Sequence, residues 1–340
     1  MAGILGIEYV LPEEIVSNKD LAKLFNSWSA EKIFQKTGIK ERHVVAEGET
    51  AVDLGVRAAE KLFQSGIIKK DEIDFVLLNT QSPDYILPSS SCIIQNRLGL
   101  KKNVGAFDYN LGCSGFVYGL AIAKGLVDGG IANKVLLITA ETYTKHINSM
   151  DRSTRTIFGD GAAATLIGRG GMEIGNFDLG TDGSGSEMLI IPAGGMRKPR
   201  TEDTSIVHNI ENNFRSEEDL FMDGTGVFDF TIREVPRSVD RVLQNENVSK
   251  DNVDLFVFHQ ANQFILDFLR RKMKIAEDKF YINFADIGNT VSASIPIALK
   301  RAIDEKKITA NQTVLMAGFG VGLSWASTVI RTGNYLIGGK

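Results

Sequence analysis

Asp108-Tyr-Asn-Leu-Gly-Cys113-Ser-Gly-Phe116 and Ala285-Asp-Ile-Gly-Asn289-Thr-Val-Ser292 are the two stretches on which the reading of this 340-residue chain turns. Each reads as a short strand that enters a glycine turn and opens a helix, and each sets a reactive or polar residue directly after the glycine. Upstream of each lies an apolar strand introduced by aspartate, Asp74-Phe-Val-Leu-Leu-Asn79 and Asp254-Leu-Phe-Val-Phe-His259. Downstream of each helix comes another core strand, at 134–139 and 312–316, and then a hairpin-like partner at 162–167 and 325–330. A strand also opens each copy, at 3–10 and 172–179. Apolar β-branched runs alternating with helical patterns indicate an α/β fold with buried sheets.

The chain therefore reads as two similar halves, 1–170 and 171–340, with a boundary near 169–172. A repeat of roughly 170 residues is too long for a solenoid. The stretch 182–223, rich in Gly, Ser and charge, has the weakest periodicity and reads as a surface excursion that could form a lid or channel wall. The matching of the halves puts Cys113 and Asn289 at equivalent corners and sets His259 where Asn79 ends the other strand. Strand-to-helix corners are where α/β sheets usually place ligands.

Composition narrows the classes of function. A formal net charge of -4 lacks the basic stripe of a nucleic-acid binder, and the short cluster Arg197, Lys198 and Arg200 reads as a solvated loop. Two cysteines make no disulfide framework and suit a reducing compartment. The N-terminus turns acidic too early for a secretory signal, and no apolar run reaches the ~18 residues that would cross a bilayer. A soluble, cytoplasmic protein is expected, with no nucleic-acid or membrane partner. The four histidines are scattered, so no metal is expected. Gly318-Phe-Gly-Val-Gly322 lacks the spacing of a dinucleotide fingerprint, and no nucleotide cofactor is expected.

Taken singly, each site residue has a plainer reading: Cys113 as a small buried thiol, His259 as a hydrogen-bonded core histidine, Asn289 as a helix cap, the glycine run as a turn. Together they form a chemical unit. A helix start favours a thiolate, so Cys113 is expected to be a nucleophile that alkylates faster than Cys92, which reads as core. A histidine and an asparagine amide can both bond one thioester carbonyl and stabilise the enolate left when a β-carboxylate departs as carbon dioxide. A tight glycine loop can aim backbone N–H groups at a second oxyanion.

Several motifs in order now identify a resemblance covering nearly the whole chain: Thr37-Gly-Ile-Lys-Glu-Arg-His43, Asn110-Leu-Gly-Cys113-Ser-Gly-Phe116, Asp151-Arg152, Phe158-Gly-Asp-Gly-Ala162, His259-Gln-Ala-Asn262, Gly288-Asn289-Thr-Val-Ser292 and Gly318-Phe-Gly-Val-Gly-Leu-Ser-Trp325. The chain resembles the β-ketoacyl-acyl-carrier-protein synthase III family of the thiolase superfamily. The resemblance implies a thiolase-like fold, two βαβαβαββ halves in a five-layered α-β-α-β-α arrangement. It implies that Cys113 takes an acyl group from a CoA or carrier-protein thioester. His259 and Asn289 would then decarboxylate a malonyl-carrier protein whose carbanion attacks the acyl-enzyme. The backbone N–H groups of Cys113 and Val321 would form the oxyanion hole, with Phe319 close by. A homodimer is implied, Leu87 reaching into the partner's acyl pocket.

Departures from the family pattern bear on the donor. Lys32 stands where a tryptophan often stacks on the CoA adenine, and Trp28 lies nearby but out of register. Phe264 replaces a basic residue useful for carrier docking, whereas Arg152 and Lys36 remain as phosphate contacts. These changes favour a carrier-protein donor over CoA. Two other readings stand beside the condensation: transfer of the acyl group from Cys113 to an oxygen or nitrogen nucleophile, and an inactive thiolase-fold binding partner.

Overall fold

The structure, a computed structural model, describes residues 1–25 and 28–334; residues 335–340 of the second half lie outside it. Nine strands form the main sheet: β1 (Ala2–Val10), β2 (Phe75–Asn79), β3 (Gly105–Tyr109), β4 (Lys134–Glu141), β5 (Gly161–Arg169), β6 (Met172–Thr181), β7 (Leu255–Phe258), β8 (Thr313–Gly320) and β9 (Ser324–Arg331). Six helices pack on them: α1 (Ala51–Gln64), α2 (Ser90–Arg97), α3 (Gly115–Asp128), α4 (Gly224–Glu246), α5 (Gln263–Lys272) and α6 (Ser294–Asp304). The strand order is β7-β8-β9-β6-β1-β5-β4-β2-β3. Read outward from the centre, β1-β5-β4-β2 on one side answers β6-β9-β8-β7 on the other. The two sides join where β1 and β6 pair antiparallel at Gly3↔Glu173 and Ile4↔Met172.

The strands are apolar almost throughout because both of their faces are covered, as is usual where helices flank parallel strands. Successive side chains point to opposite faces, and the burial follows that alternation. Val76 and Leu78 of β2 and Leu136 and Ile138 of β4 face α1 and α2, against Leu54, Ala58, Leu62 and Ile94. Leu77 and Leu137 face the other way, onto Phe116, Val117 and Leu120 of α3 and Ile295 and Leu299 of α6. Val257 of β7 and Met316 of β8 close on the same two helices from the far side. Phe256, Phe258 and Leu315 point out to Val239 and Val242 of α4 and Leu266 and Leu269 of α5. The result is the expected order of layers: α1 and α2, first-half strands, α3 and α6, second-half strands, α4 and α5.

One expected strand is missing. The run leading into Asn289 makes isolated bridges at its two ends, Phe256↔Phe280 and Phe158↔Asn289, and no ladder. Its backbone bonds elsewhere: Asn283 N donates to Gln260 Oε1 at 2.8 Å, and Ala285 O accepts from Lys40 N at 2.7 Å. Side-chain and loop partners have taken the place of a ladder. The excursion 182–223 carries a short ladder between Leu189–Ile190 and Phe221–Met222, and a hairpin pairing His208–Ile210 with Asn213–Arg215.

Candidate active site

Cys113, His259 and Asn289 line one cavity of ≈ 160 Å³, together with Phe319, Gly320, Ile157, Phe158, Leu189, Met222 and Thr231. Sequence separates the three polar residues by up to 176 positions; the packing of the two halves brings them together, Cys113 just before α3 and Asn289 shortly before α6 in the shared middle layer, and His259 at the end of β7. Leu189 and Met222 come from the two strands of the excursion ladder, so that segment walls the cavity.

The family motifs show their physical purpose here. Asn289 N donates to Ile157 O at 2.9 Å, and Gly159 N donates to Asn289 O at 3.0 Å, so the Phe158-Gly-Asp-Gly run clasps the asparagine backbone. Asp160 is held in turn: its N–H donates to His43 O at 2.8 Å, and its carboxylate accepts from Val45 N and from the N–H and hydroxyl of Thr144. The buried Arg42 guanidinium donates to Val16 O, Asn18 Oδ1 and Thr156 O, which ties the Thr37–His43 segment to the same turn. Asn262 caps α5 by accepting from Ile265 N at 2.9 Å, and Gln260 Nε2 donates to Phe258 O at 2.7 Å. These two fix the backbone on either side of Ala261. Gly288 turns with φ +74°, a conformation that favours glycine.

His259 is buried, and that burial pushes its imidazole down to about 3, so the ring is neutral near pH 7. Its Nδ1 lies 2.7 Å from Ser294 Oγ, and Gln260 N donates to the same oxygen at 3.4 Å. The Ser294 hydroxyl keeps its own proton to donate to Nδ1, an arrangement that goes with the ring proton on Nε2. Nε2 is 3.5 Å from Asn289 Nδ2. Two donors at that distance do not bond each other; they suit one shared acceptor. Phe319 stands edge-on to His259 with ring centroids 5.5 Å apart.

Two expectations about the cysteines are corrected. Cys113 does precede α3, by two residues, but it is 6% exposed. Burial and the neighbouring Glu141 carboxylate push its thiol up, outweighing the helix start. Cys92, read as core, is exposed on α2. Its helix turns Ser90, Ser91 and Ile94 inward and Cys92 out.

Val321 follows β8, and a Cβ placed on Gly112 would come within 2.5 Å of its Cγ1, so the glycine loop abuts the Cys113 corner. Gly320 is closer still: a Cβ there would lie 3.1 Å from Cys113 Sγ. The structure does not bring Lys32, Lys36, Arg152, Leu87 or Phe264 to this cavity. Lys32 Nζ, Lys36 Nζ and Arg152 Cζ lie 5.7, 5.3 and 5.3 Å from the ring of Trp28. The tryptophan that is out of register in sequence therefore stands in the middle of the cations in space. Phe264 is 61% exposed and forms an aromatic group with Phe228 and Phe268. Leu87 is 79% exposed and points out of this chain. Sequence reading missed Ser294, which bonds His259, and Glu141, which neighbours Cys113; nothing about their spacing distinguishes them from other polar residues.

Among the described residues no group of three or more His, Cys, Asp or Glu is placed to hold a metal, and no helix is long and apolar enough to cross a membrane.

Residues 107–183 match the family described as 3-oxoacyl-[acyl-carrier-protein (ACP)] synthase III, and residues 243–332 match its C-terminal counterpart. The β-ketoacyl-[acyl-carrier-protein] synthase III of Caldanaerobacter subterraneus subsp. tengcongensis is 40% identical over 332 residues, covering 97% of each chain. That of Clostridioides difficile is 39% identical over 333 residues, covering 97% of this chain and 98% of its own. A crystal structure of a 3-oxoacyl-(acyl-carrier-protein) synthase III superposes with TM-score 0.95 at 47% identity, covering 97% of this chain and 99% of the other. The priming β-ketosynthase of the R1128 polyketide pathway superposes with TM-score 0.85 at 30% identity, covering 98% and 97%.

Proposed function

The chain belongs to the 3-oxoacyl-[acyl-carrier-protein] synthase III family, and on that premise we propose how its cavity joins an acyl thioester to a malonyl thioester by decarboxylative Claisen condensation in fatty-acid synthesis. The observation that carries the reading is the convergence of Cys113, His259 Nε2 and Asn289 Nδ2 on one cavity.

Cys113 sulfur attacks the acyl thioester carbonyl, and its proton leaves with the departing thiol. A malonyl thioester then enters with its carbonyl oxygen between His259 Nε2–H and Asn289 Nδ2–H. Its carbon–carboxylate bond breaks, carbon dioxide leaves, and the electron pair becomes an enolate on that oxygen, where two neutral donors in a dry site stabilise it. The enolate carbon attacks the acyl-Cys113 carbonyl. The resulting oxyanion takes the backbone N–H groups of Cys113 and Val321, and collapse expels the Cys113 thiolate with a β-ketoacyl thioester; the thiolate takes a proton from water to restore the thiol.

Trp28 bears on the donor. An aromatic face among Lys32, Lys36 and Arg152 suits an adenine ring and its phosphates, and stacking of a base is worth ~1–3 kcal/mol. This removes the ground for expecting a weak CoA site from Lys32 alone, and favours acyl-CoA as the first substrate. The Phe228, Phe264 and Phe268 group and the basic end of α5 suit a malonyl-carrier protein as the second. Tyr85, Ile86 and Leu87 form an exposed apolar edge that a second copy of the chain would cover.

The test is to follow the two half-reactions separately. Intact mass after incubation with acyl-CoA and acyl-carrier protein reports loading of Cys113, and labelled malonyl-carrier protein reports carbon dioxide. His259→Ala and Asn289→Ala are expected to load but to release carbon dioxide ~10²–10³ more slowly. Parent-like release from both variants would place the chemistry elsewhere. Acyl transfer to oxygen or nitrogen would load Cys113 and release none.

A further inference from the structure

Glu141 ends β4 with its side chain wholly buried. Its Oε1 accepts from Ser292 Oγ at 2.7 Å, and its Oε2 accepts from Gln81 N at 2.9 Å. Each partner leads to a different turn of the site. Ser292 lies three residues after Asn289, whose own Oδ1 accepts from Val291 N at 2.9 Å. Gln81 reaches the other turn: its Nε2 donates to Asn110 Oδ1 at 2.9 Å, and a Cβ on Gly112 would come within 2.7 Å of its Oε1. Tyr143 donates its hydroxyl to that same Oε1.

We propose that Glu141 is a positioning residue for the condensation, holding the turn that carries Cys113 and the turn that carries Asn289 in one fixed relation through Gln81 and Ser292. The proposal rests on the catalytic reading above. Misplacement by about an ångström can cost ~10²-fold in rate, so a single side chain that braces both turns acts on the reaction without touching substrate.

The titratable groups around Glu141 are Tyr109 at the end of β3, Cys113, Tyr143 just after β4, and Asp160 in the turn before β5. All four are acids. Burial, with a contribution from Asp160, pushes the Glu141 carboxyl up to about 8. Below that pH the group is protonated; it donates to Ser292 Oγ and still accepts from Gln81 N. Above it, a negative charge stands beside Cys113, makes its part of the rise in the thiol, and opposes its departure as thiolate. Glu141 therefore contributes a loss of rate as pH rises through about 8.

The experiment uses the full chain with Glu141→Gln, Glu141→Ala and Ser292→Ala. It measures Cys113 loading by mass, carbon dioxide release at pH 7 and pH 9, and thermal midpoint. Glutamine mimics the protonated acid and does not ionise, so Glu141→Gln is expected to give a higher ratio of the pH 9 rate to the pH 7 rate than the parent enzyme. Glu141→Ala and Ser292→Ala are expected to lower kcat for carbon dioxide release by ~10-fold or more, with KM for the malonyl thioester little moved. If Glu141→Ala fails to fold, the pH ratio of Glu141→Gln and the kcat of Ser292→Ala decide the matter. A parent-like pH ratio in Glu141→Gln, or parent-like kcat in a folded Glu141→Ala or in Ser292→Ala, overturns the proposal and leaves the catalytic reading intact. Failure of the parent to load Cys113 or release carbon dioxide sinks both.

Discussion

Cys113 sits where two physical effects oppose each other. A helix start lowers a thiol pKa and burial raises it; here burial and Glu141 prevail. Cys113 is therefore a thiol held in an apolar cavity, exposed to a substrate that fits the cavity and shielded from reagents that do not. Cys92 is the reverse, open to solvent on α2 and outside the cavity lining. Brief iodoacetamide treatment at pH 7 is expected to label Cys92 before Cys113, while an acyl thioester modifies Cys113 alone. Cys92→Ser is expected to leave acyl loading unchanged. Peptide mapping checks both points, and acyl label on Cys92 would contradict the assignment. That Cys113 would stand at a glycine corner was legible from Gly112-Cys113-Ser114-Gly115, and its proposed role as nucleophile rests on that setting and on its place in the cavity. Its protonation was not legible, because desolvation depends on what packs around the sulfur. Ser294 and Glu141 were illegible for the same reason: their roles come from neighbours 35 and 151 residues away.

At the scale of elements, the alternation of side chains along β2, β4, β7 and β8 sorts each apolar residue into the middle or an outer layer. Periodicity showed where these strands lie, since uninterrupted apolar runs bounded by polar turns are buried strands. It did not reveal the absent strand before Asn289, where Gln260 and Lys40 replace a ladder partner. Helix starts depend on local bonds and are easier to test. Thr50 Oγ1 accepts from Asp53 N, and Asp53 Oδ2 accepts from Thr50 N at 2.8 Å, a reciprocal capping box on α1. Thr50→Ala is expected to lower the unfolding free energy by about 1 kcal/mol. Urea denaturation measures this, and the condensation rate is expected to stay at the parent value, because α1 lies in an outer layer away from the cavity.

For the molecule as a whole, the exposed edge Tyr85-Ile-Leu87 is the feature that a lone chain does not account for. These side chains are 62%, 82% and 79% exposed, and contiguous apolar surface of this kind marks contact with another protein. The parent chain is expected to sediment as a dimer at micromolar concentration, and Ile86→Asp to shift it toward monomer, because an unpaired charge is costly to bury. Analytical ultracentrifugation decides between the two states; a dimer unaffected by Ile86→Asp would place the interface elsewhere.

The sequence by itself determined the alternating α/β pattern and the glycine turns ahead of Cys113 and Asn289, because backbone periodicity and glycine turns are local properties. Tertiary structure alone decided the neutral state of His259, the raised thiol of Cys113 and the place of Trp28 among Lys32, Lys36 and Arg152. It also decided that Glu141 meets both Ser292 and Gln81. Each of these depends on burial or on a partner distant in the chain, and solvation and contact are set only when the layers close on one another.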